Sequence, residues 1–362
     1  MRAANIDAFI VTHLPNIRYL TGFSGSAGVV LLTERRCTLV VDFRYAAAAR
    51  STIESEPALA AVATIVVPPR SYDETLLARL EEAGSRRIGI EAASMTVSRF
   101  NWLSTRLANA APTPLQSDGP CPVLVATERL VEGSRLIKDA AEVAIFREAG
   151  RRLASVALDV TGFAREGRTE LEVAADIDAA LRRRGFERPA FETIVASGPN
   201  SARPHARPGP RVLQEGDWVV LDFGGVYDGY CVDLSRTVQI GPVRPDFRRM
   251  LDAVSEAQAA VIAATRPGVA ASQLDAIARE VLGRHGLADA FGHGTGHGLG
   301  LEVHEEPRIG RPVAGRPDAP LAPGMVFTVE PGAYVEGTGG VRIEDDVLVT
   351  DKGCDVLTRV SE

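Results

Sequence analysis

Short apolar runs and stretches of helical period alternate through the N-terminal third of the chain. Runs of β-branched and aliphatic residues predict strands at Ala8–Thr12, Val29–Leu32, Thr38–Asp42, Ala63–Val67 and Arg87–Glu91. Helical spacing of apolar positions predicts helices over Tyr45–Ser55, Asp73–Ala83 and Val97–Ala108. This alternation predicts a small α/β domain over residues 1–126, ended by the turn-rich stretch 111–122. A second domain, 135–362, changes rhythm. Asp139 and Glu142 have cap and third-residue spacing ahead of a long helix with Val143, Phe146, Leu153, Val156 and Val160 on one face. Thr169 with Glu172, and Ser272 with Asp275, repeat the capping pattern. Two helices and a hairpin, used twice, predict a pseudo-duplicated α+β domain.

The hairpins place acidic residues where apolar ones would be expected. Trp218–Phe223 and Tyr230–Val238 read as paired strands, and a turn at Val226–Gly229 sets Asp222 directly opposite Asp233. Glu330 and Glu344 flank the glycine-rich turn 336–340 in the same way. Like charges opposed in a sheet are destabilising, and burial raises the penalty. A cation between them removes it. Four carboxylates balance two divalent ions.

Only six histidines occur, four of them between His285 and His304. The segment Phe291–Gly300 is half glycine, which lets backbone approach something closely. It is neither HExxH nor a dinucleotide fingerprint. Either His293 or His297 could complete a carboxylate-rich site. Oxygen ligands with one imidazole favour manganese, with cobalt or zinc as alternatives. Two such ions can share a water and lower its pKa.

Composition narrows the class. The 362 residues are 45% hydrophobic with a net charge of −7, which excludes a general nucleic-acid binder and fits a two-domain globular protein. Cys37, Cys121, Cys231 and Cys354 form no CxxC pair and suit a reducing cytoplasm. No run approaches the roughly 18 apolar residues of a membrane span, and the first residues lack a signal-type apolar region.

The segments LDFGGVYDGYCVDLSRTV, GHGTGHGLGLEVHEEP, GMVFTVEPGAY and GVRIEDDVLVT resemble signature segments of the pita-bread metallopeptidases, in their Xaa-Pro peptidase branch of prolidase and aminopeptidase P. NIRYLTGFSGS and VVDFRY resemble the N-terminal creatinase/prolidase-like domain of that family, and SGPNSARPHARPG its substrate-side histidine loop. The resemblance implies a pita-bread catalytic domain, a curved antiparallel sheet flanked by helices, and a homodimer. It implies Asp222, Asp233, His297, Glu330 and Glu344 as ligands of two metal ions. Asp233 and Glu344 would bridge, Asp222 would serve one ion, and His297 with Glu330 the other. Glu330 would also be the general base, and Arg342 would hold Asp222. His293 falls beside the site, orienting a ligand or facing substrate. His205 and His304 match two substrate-facing histidines.

The implied substrate is a small peptide with proline second. Prolyl nitrogen carries no hydrogen and must gain a proton to leave, which suits a histidine of pKa near ~6.5. We assign that role to His205 and the contact with the developing oxyanion to His304. Arg44, Arg203 and Arg207, with Arg211, are candidates to clamp a dipeptide's free carboxylate. The expectation is therefore a dipeptidase. The alternatives are an aminopeptidase P acting on longer peptides, a pita-bread hydrolase of a non-peptide metabolite, or a non-catalytic binding protein.

Overall fold

The structure, a computed structural model, describes residues 1–109, 121–315 and 318–360. Most of the turn-rich stretch 111–122 lies outside these. The chain forms two compact units, Met1–Ser134 and Arg135–Glu362.

In chain order the first unit contains β1 (Ala8–Val11), α1 (Leu14–Thr21), β2 (Val29–Thr33), β3 (Cys37–Val40), α2 (Ala46–Glu54), α3 (Pro57–Ala60), β4 (Ala63–Val66), α4 (Tyr72–Ala83), β5 (Arg87–Glu91), α5 (Val97–Asn109) and β6 (Val123–Thr127). A short helical turn, α6 (Glu132–Arg135), follows. The six strands form one mixed sheet in the order β4-β3-β2-β1-β5-β6. Strand β1 is buried along its whole length, because helices cover both faces. Its residues alternate between two cores. Ala8 and Ile10 pack with Leu76, Leu80, Leu103 and Leu107 of α4 and α5. Phe9 and Val11 pack with Ile17, Ala49 and Ile53 of α1 and α2.

The second unit opens with α7 (Ala140–Val160) and α8 (Glu170–Arg183), followed by β7 (Arg188–Pro189), β8 (Ile194–Ser197), β9 (Trp218–Tyr227) and β10 (Tyr230–Gln239). Next come α9 (Pro245–Ala264) and α10 (Ala271–Arg284), then β11 (Gly296–Gly298), β12 (Glu305–Ile309), β13 (Val326–Val329), β14 (Gly332–Val335), β15 (Gly339–Arg342), β16 (Asp345–Val349) and β17 (Cys354–Val356). Asp139/Glu142 and Thr169/Glu172 cap α7 and α8 as their spacing predicts. At α10 the expectation fails. Gln273 reaches back to the Ala270 amide instead. Ser272 donates to Asp318, and Asp275 is buried against Arg279 and Thr295.

Each helix pair covers its own hairpin. Phe146, Leu153, Val173 and Ile177 pack on Val219, Leu221, Phe223, Val232 and Leu234. Phe247, Val254, Leu274 and Ala278 pack on Phe327, Val329, Val347 and Val349. These repeated halves make the pseudo-duplicated α+β pita-bread arrangement. The strand period of two then decides where the acids go. Asp222 and Asp233 have the parity opposite to the helix-facing residues of their strands, and Glu330 and Glu344, just after β13 and just before β16, continue the parity opposite to Phe327, Val329, Val347 and Val349, so all four fall away from the helices of their own repeat. Among the described residues no helix is long and apolar enough to cross a membrane.

Candidate metal centre

The first hairpin departs from the expected register. Its turn is Tyr227-Asp-Gly-Tyr230, with φ of 45° at Asp228 and 77° at Gly229, the type I′ geometry that matches strand twist. Asp222 therefore sits opposite Ser235, and Asp233 opposite Gly224. The shift is by two positions, so both carboxylates stay on one face; a slip of one would have sent one of them into the helix-side core.

The second pair lies at a break between two ladders. Val329 pairs with Asp345 on one side of it and Gly332 with Arg342 on the other. Glu330 and Glu344 face each other in the gap. Their amides leave the hairpin, Glu330 N bonding Thr295 O at 2.8 Å and Glu344 N bonding Ser235 O at 3.1 Å.

His297 enters on β11, wedged between β12 and β13. A Cβ at Gly296 would lie 1.8 Å from Thr328 O, and one at Gly298 would lie 2.1 Å from Glu306 O. Only glycine permits this approach. Gly296→Ala is expected to destabilise by about 1–3 kcal/mol, the usual range for forced overpacking. Gly292→Ala, with nothing within 4 Å of its Cβ position, should leave the thermal midpoint unchanged. Equal melting of the two variants would contradict this wedge.

The acids converge on His297. Its Nε2 is 3.9 Å from Asp233 Oδ2 and 3.7 Å from Glu330 Oε1. Asp233, His297 and Glu344 each offer a ligand atom within 4.8 Å of the others. Two of the carboxylates are anchored through one oxygen. Arg342 Nη2 donates to Asp222 Oδ2 at 2.5 Å, and Ser235 Oγ donates to Glu344 Oε2 at 2.7 Å. Asp222 Oδ1, Asp233 Oδ1 and Glu344 Oε1 are buried with no hydrogen-bond donor among the described residues. Buried oxygens are rarely left this way.

The electrostatics agree. Burial, then Glu344, Asp222 and Asp346, hold the Asp233 carboxyl well above its ordinary range. Burial, then Glu330 and Asp222, do the same to Glu344. Burial pushes Glu330 up to about 8. Burial, with His304 adding to it, lowers His297 to about 4, leaving a neutral imidazole lone pair. Burial opposes the charge on Arg342, but Tyr334, Asp222 and Glu330 outweigh it and the guanidinium stays protonated. Neutral imidazole and crowded carboxylates are the donor set of a hard divalent cation. The residues fit such an ion.

The remaining candidates divide. His293 turns away from the acids, its Nε2 3.0 Å from the Tyr334 hydroxyl, which in turn takes a 2.7 Å bond from Arg342. The His304 ring lies 4.3 Å from that of His297, and burial, then His205, lowers its pKa. His205 itself is exposed, next to Pro204, whose carbonyl accepts from Arg342 at 3.2 Å. The turn before His304 is pinned by Arg135, which donates to Glu302 and Glu305. Arg44, in the first unit, forks onto Asp42 at 3.0 and 2.7 Å. Arg207 lies 3.3 Å from Glu192, and Arg211 forks onto Asp217. Arg203 is exposed and its guanidinium has no ion pair among the described residues.

Sequence reasoning missed Ser235, Tyr334 and Asp346, whose Oδ2 takes the Asp233 amide at 3.0 Å. Ser235 and Asp346 lie two residues beyond Asp233 and Glu344, so the strand period alone could have found them.

Comparison with known proteins places the chain among its relatives. Residues 144–351 match the metallopeptidase family M24, and residues 1–131 the creatinase/prolidase N-terminal domain. The Xaa-Pro dipeptidase of Pyrococcus horikoshii is 33% identical over 98% of this chain and 93% of its own. The structure of the Xaa-Pro dipeptidase from Bacillus anthracis superposes with a TM-score of 0.89 at 34% identity, covering 100% of this chain and 95% of that one. The X-Pro aminopeptidase from Thermotoga maritima superposes with a TM-score of 0.85 at 32% identity, covering 99% of this chain and 97% of that one. Donor-free carboxylates around a neutral imidazole, on a sheet with these relatives, leave one conclusion: the chain belongs to metallopeptidase family M24.

Proposed function

We propose that the chain is an Xaa-Pro dipeptidase working with two divalent metal ions, held by Asp222, Asp233, His297, Glu330 and Glu344. Buried, donor-free oxygens on Asp233 and Glu344 clustered with His297, and another on Asp222, carry this reading. All five would serve as ligands, with Glu330 doubling as the general base. When bound, such ions acidify water and polarise a carbonyl. The protein's own residues do the rest. Glu330, ionised once the cations offset the crowding that raises its pKa in their absence, takes a proton from the attacking water. His304, neutral and partly buried, donates a hydrogen bond to the carbonyl oxygen as charge develops there. His205, on the exposed loop, delivers a proton to the prolyl nitrogen. Arg342, with Tyr334 and His293 behind it, fixes Asp222.

Arg203 and Arg207 remain our candidates for the substrate carboxylate, and Arg203 is preferred because Arg207 already faces an acid. Likeness to an X-Pro aminopeptidase supports action on longer peptides as the second reading. We assign catalysis to residues 135–362 and treat 1–126 as the accessory domain. Manganese suits the mixture of oxygens and one imidazole. Four unpaired cysteines suit a cytoplasmic location. By analogy with the family we assign a homodimer.

Two assays test the proposal. His205→Ala should lower kcat by about 10²–10⁴-fold, the span of general-acid catalysis, while metal content is unchanged; loss of metal would show that His205 is a ligand. An Xaa-Pro dipeptide should be cleaved faster than its amide or an Xaa-Pro tripeptide. Equal rates would favour the aminopeptidase reading.

A further inference from the structure

The loop that carries His205 is gathered at its base by a single carboxylate. Glu170 begins α8 and is 0% exposed. Its Oε1 accepts from Ser197 N at 2.8 Å, Ser197 Oγ at 2.7 Å and Asn200 Nδ2 at 3.0 Å. Its Oε2 accepts from Gly209 N at 3.0 Å and Asn200 Nδ2 at 3.3 Å. Both ends of the segment 197–209 therefore converge on one side chain. The main chain repeats the closure, with Glu170 N bonding Arg211 O at 3.0 Å and Leu171 N bonding Gly209 O at 3.2 Å. Arg211 adds a 2.6 Å bond to Ser197 Oγ.

The far side of the loop is tied to the site. Gly340 N donates to Ser201 Oγ at 3.0 Å, and Arg342 Nη1 to Pro204 O at 3.2 Å. His205 thus hangs between a base fixed by Glu170 and a contact fixed by Arg342. A fully buried carboxyl side chain is costly unless its polar atoms are hydrogen-bonded, as both oxygens of Glu170 are. Ordinary loop closure needs no such group.

We propose that Glu170 is a positioning residue that sets the location of His205 for proton delivery to the leaving nitrogen; the inference rests on the dipeptidase reading. Glu170 touches neither substrate nor the metal ligands. It acts by fixing the span of the loop. Displacement of a catalytic group by about 1 Å can lower rate roughly 100-fold.

The test is a double-mutant cycle between Glu170→Gln and His205→Ala, measured on an Xaa-Pro dipeptide with manganese. Glutamine keeps the shape but turns one acceptor into a donor aimed at N–H groups. The expected result is a kcat loss of about 10–100-fold with KM little changed and full metal content. In the His205→Ala background the same substitution should have almost no further effect. A multiplicative loss in the double variant would overturn the proposal, since Glu170 would then act independently of His205. Unchanged kcat in Glu170→Gln would also overturn it. If His205→Ala itself keeps full kcat, the parent assignment of His205 fails instead, so the two failures are told apart. Should Glu170→Gln not fold, Asn200→Ala loosens the same junction more gently, and the same non-additivity with His205→Ala is expected.

Discussion

Asp233→Asn is expected to abolish turnover and, in the absence of metal, to make the protein more stable. Both effects follow from one crowded carboxylate. Asp233 is 5% exposed, its Oδ1 has no donor, and its charge is opposed by Glu344, Asp222, Asp346 and Glu330. Without a cation this charge is a liability, so removing it should raise the thermal midpoint of the chelated variant above that of the chelated parent. With manganese the order should reverse, because the variant binds metal poorly. Loss of a partner that merely orients a metal ligand lowers affinity or activity about 10–100-fold, and loss of a ligand itself should exceed that. Metal analysis, kcat and melting curves with and without chelator measure all three. A variant that keeps its metal and its rate would remove Asp233 from the site.

The stabilisation given by manganese is expected to grow between pH 6.5 and pH 8.5. Glu330 is raised from its ordinary 4.5 to about 8, and Asp233 and Glu344 are raised as well. A carboxyl whose folded pKa lies above its unfolded one binds more protons when folded. Its contribution is fully present below the unfolded pKa and is lost as pH rises through the folded one. The metal-free protein should therefore weaken across this window. The lowered pKa values of His293 and His297, near 4, act only below about 6.5 and do not interfere. Buried Cys37 and Cys231, raised to about 11 and 12, weaken chelated and metal-loaded protein alike at the alkaline end, so the difference between the two samples isolates the carboxylates. One proton contributes at most about 1.4 kcal/mol per pH unit, and each kcal/mol moves the midpoint by about 2–4 °C. The gap in melting temperature should thus widen by on the order of 5 °C. A constant or shrinking gap would mean that these acids are not held protonated by burial and by one another.

Much of this was legible in the chain, and the misses have physical causes. Strands such as Arg87–Glu91 and helices such as Val97–Asn109 fall where their apolar residues put them, with Ile88 and Ile90 buried in the first and Leu103 and Leu107 in the second. Helix α1 escaped because it is eight residues long and buries Asn16 and Thr21 beside Ile17, leaving no apolar stripe. The hairpin register was misplaced by two because the turn lies at Asp228-Gly229, although the Asp-Gly pair is a strong turn signal. The parity of the acids survived that error, so their common face was still correct. The glycine-rich spacing does not discriminate between His293 and His297. The folded chain separates them, one ring facing Tyr334 and the other facing Asp233 and Glu330. Glu170 was beyond reach, since its partners are mostly loop donors whose positions no local pattern encodes.

The gap between the two ladders has a consequence for how the protein matures. Asp222 and Asp233 come from one repeat, while His297, Glu330 and Glu344 come from the other, and the amides at the gap are tied across to Ser235 and Thr295. On the proposed ligand set neither repeat alone would supply a complete coordination shell, so metal uptake would require both repeats to be folded together.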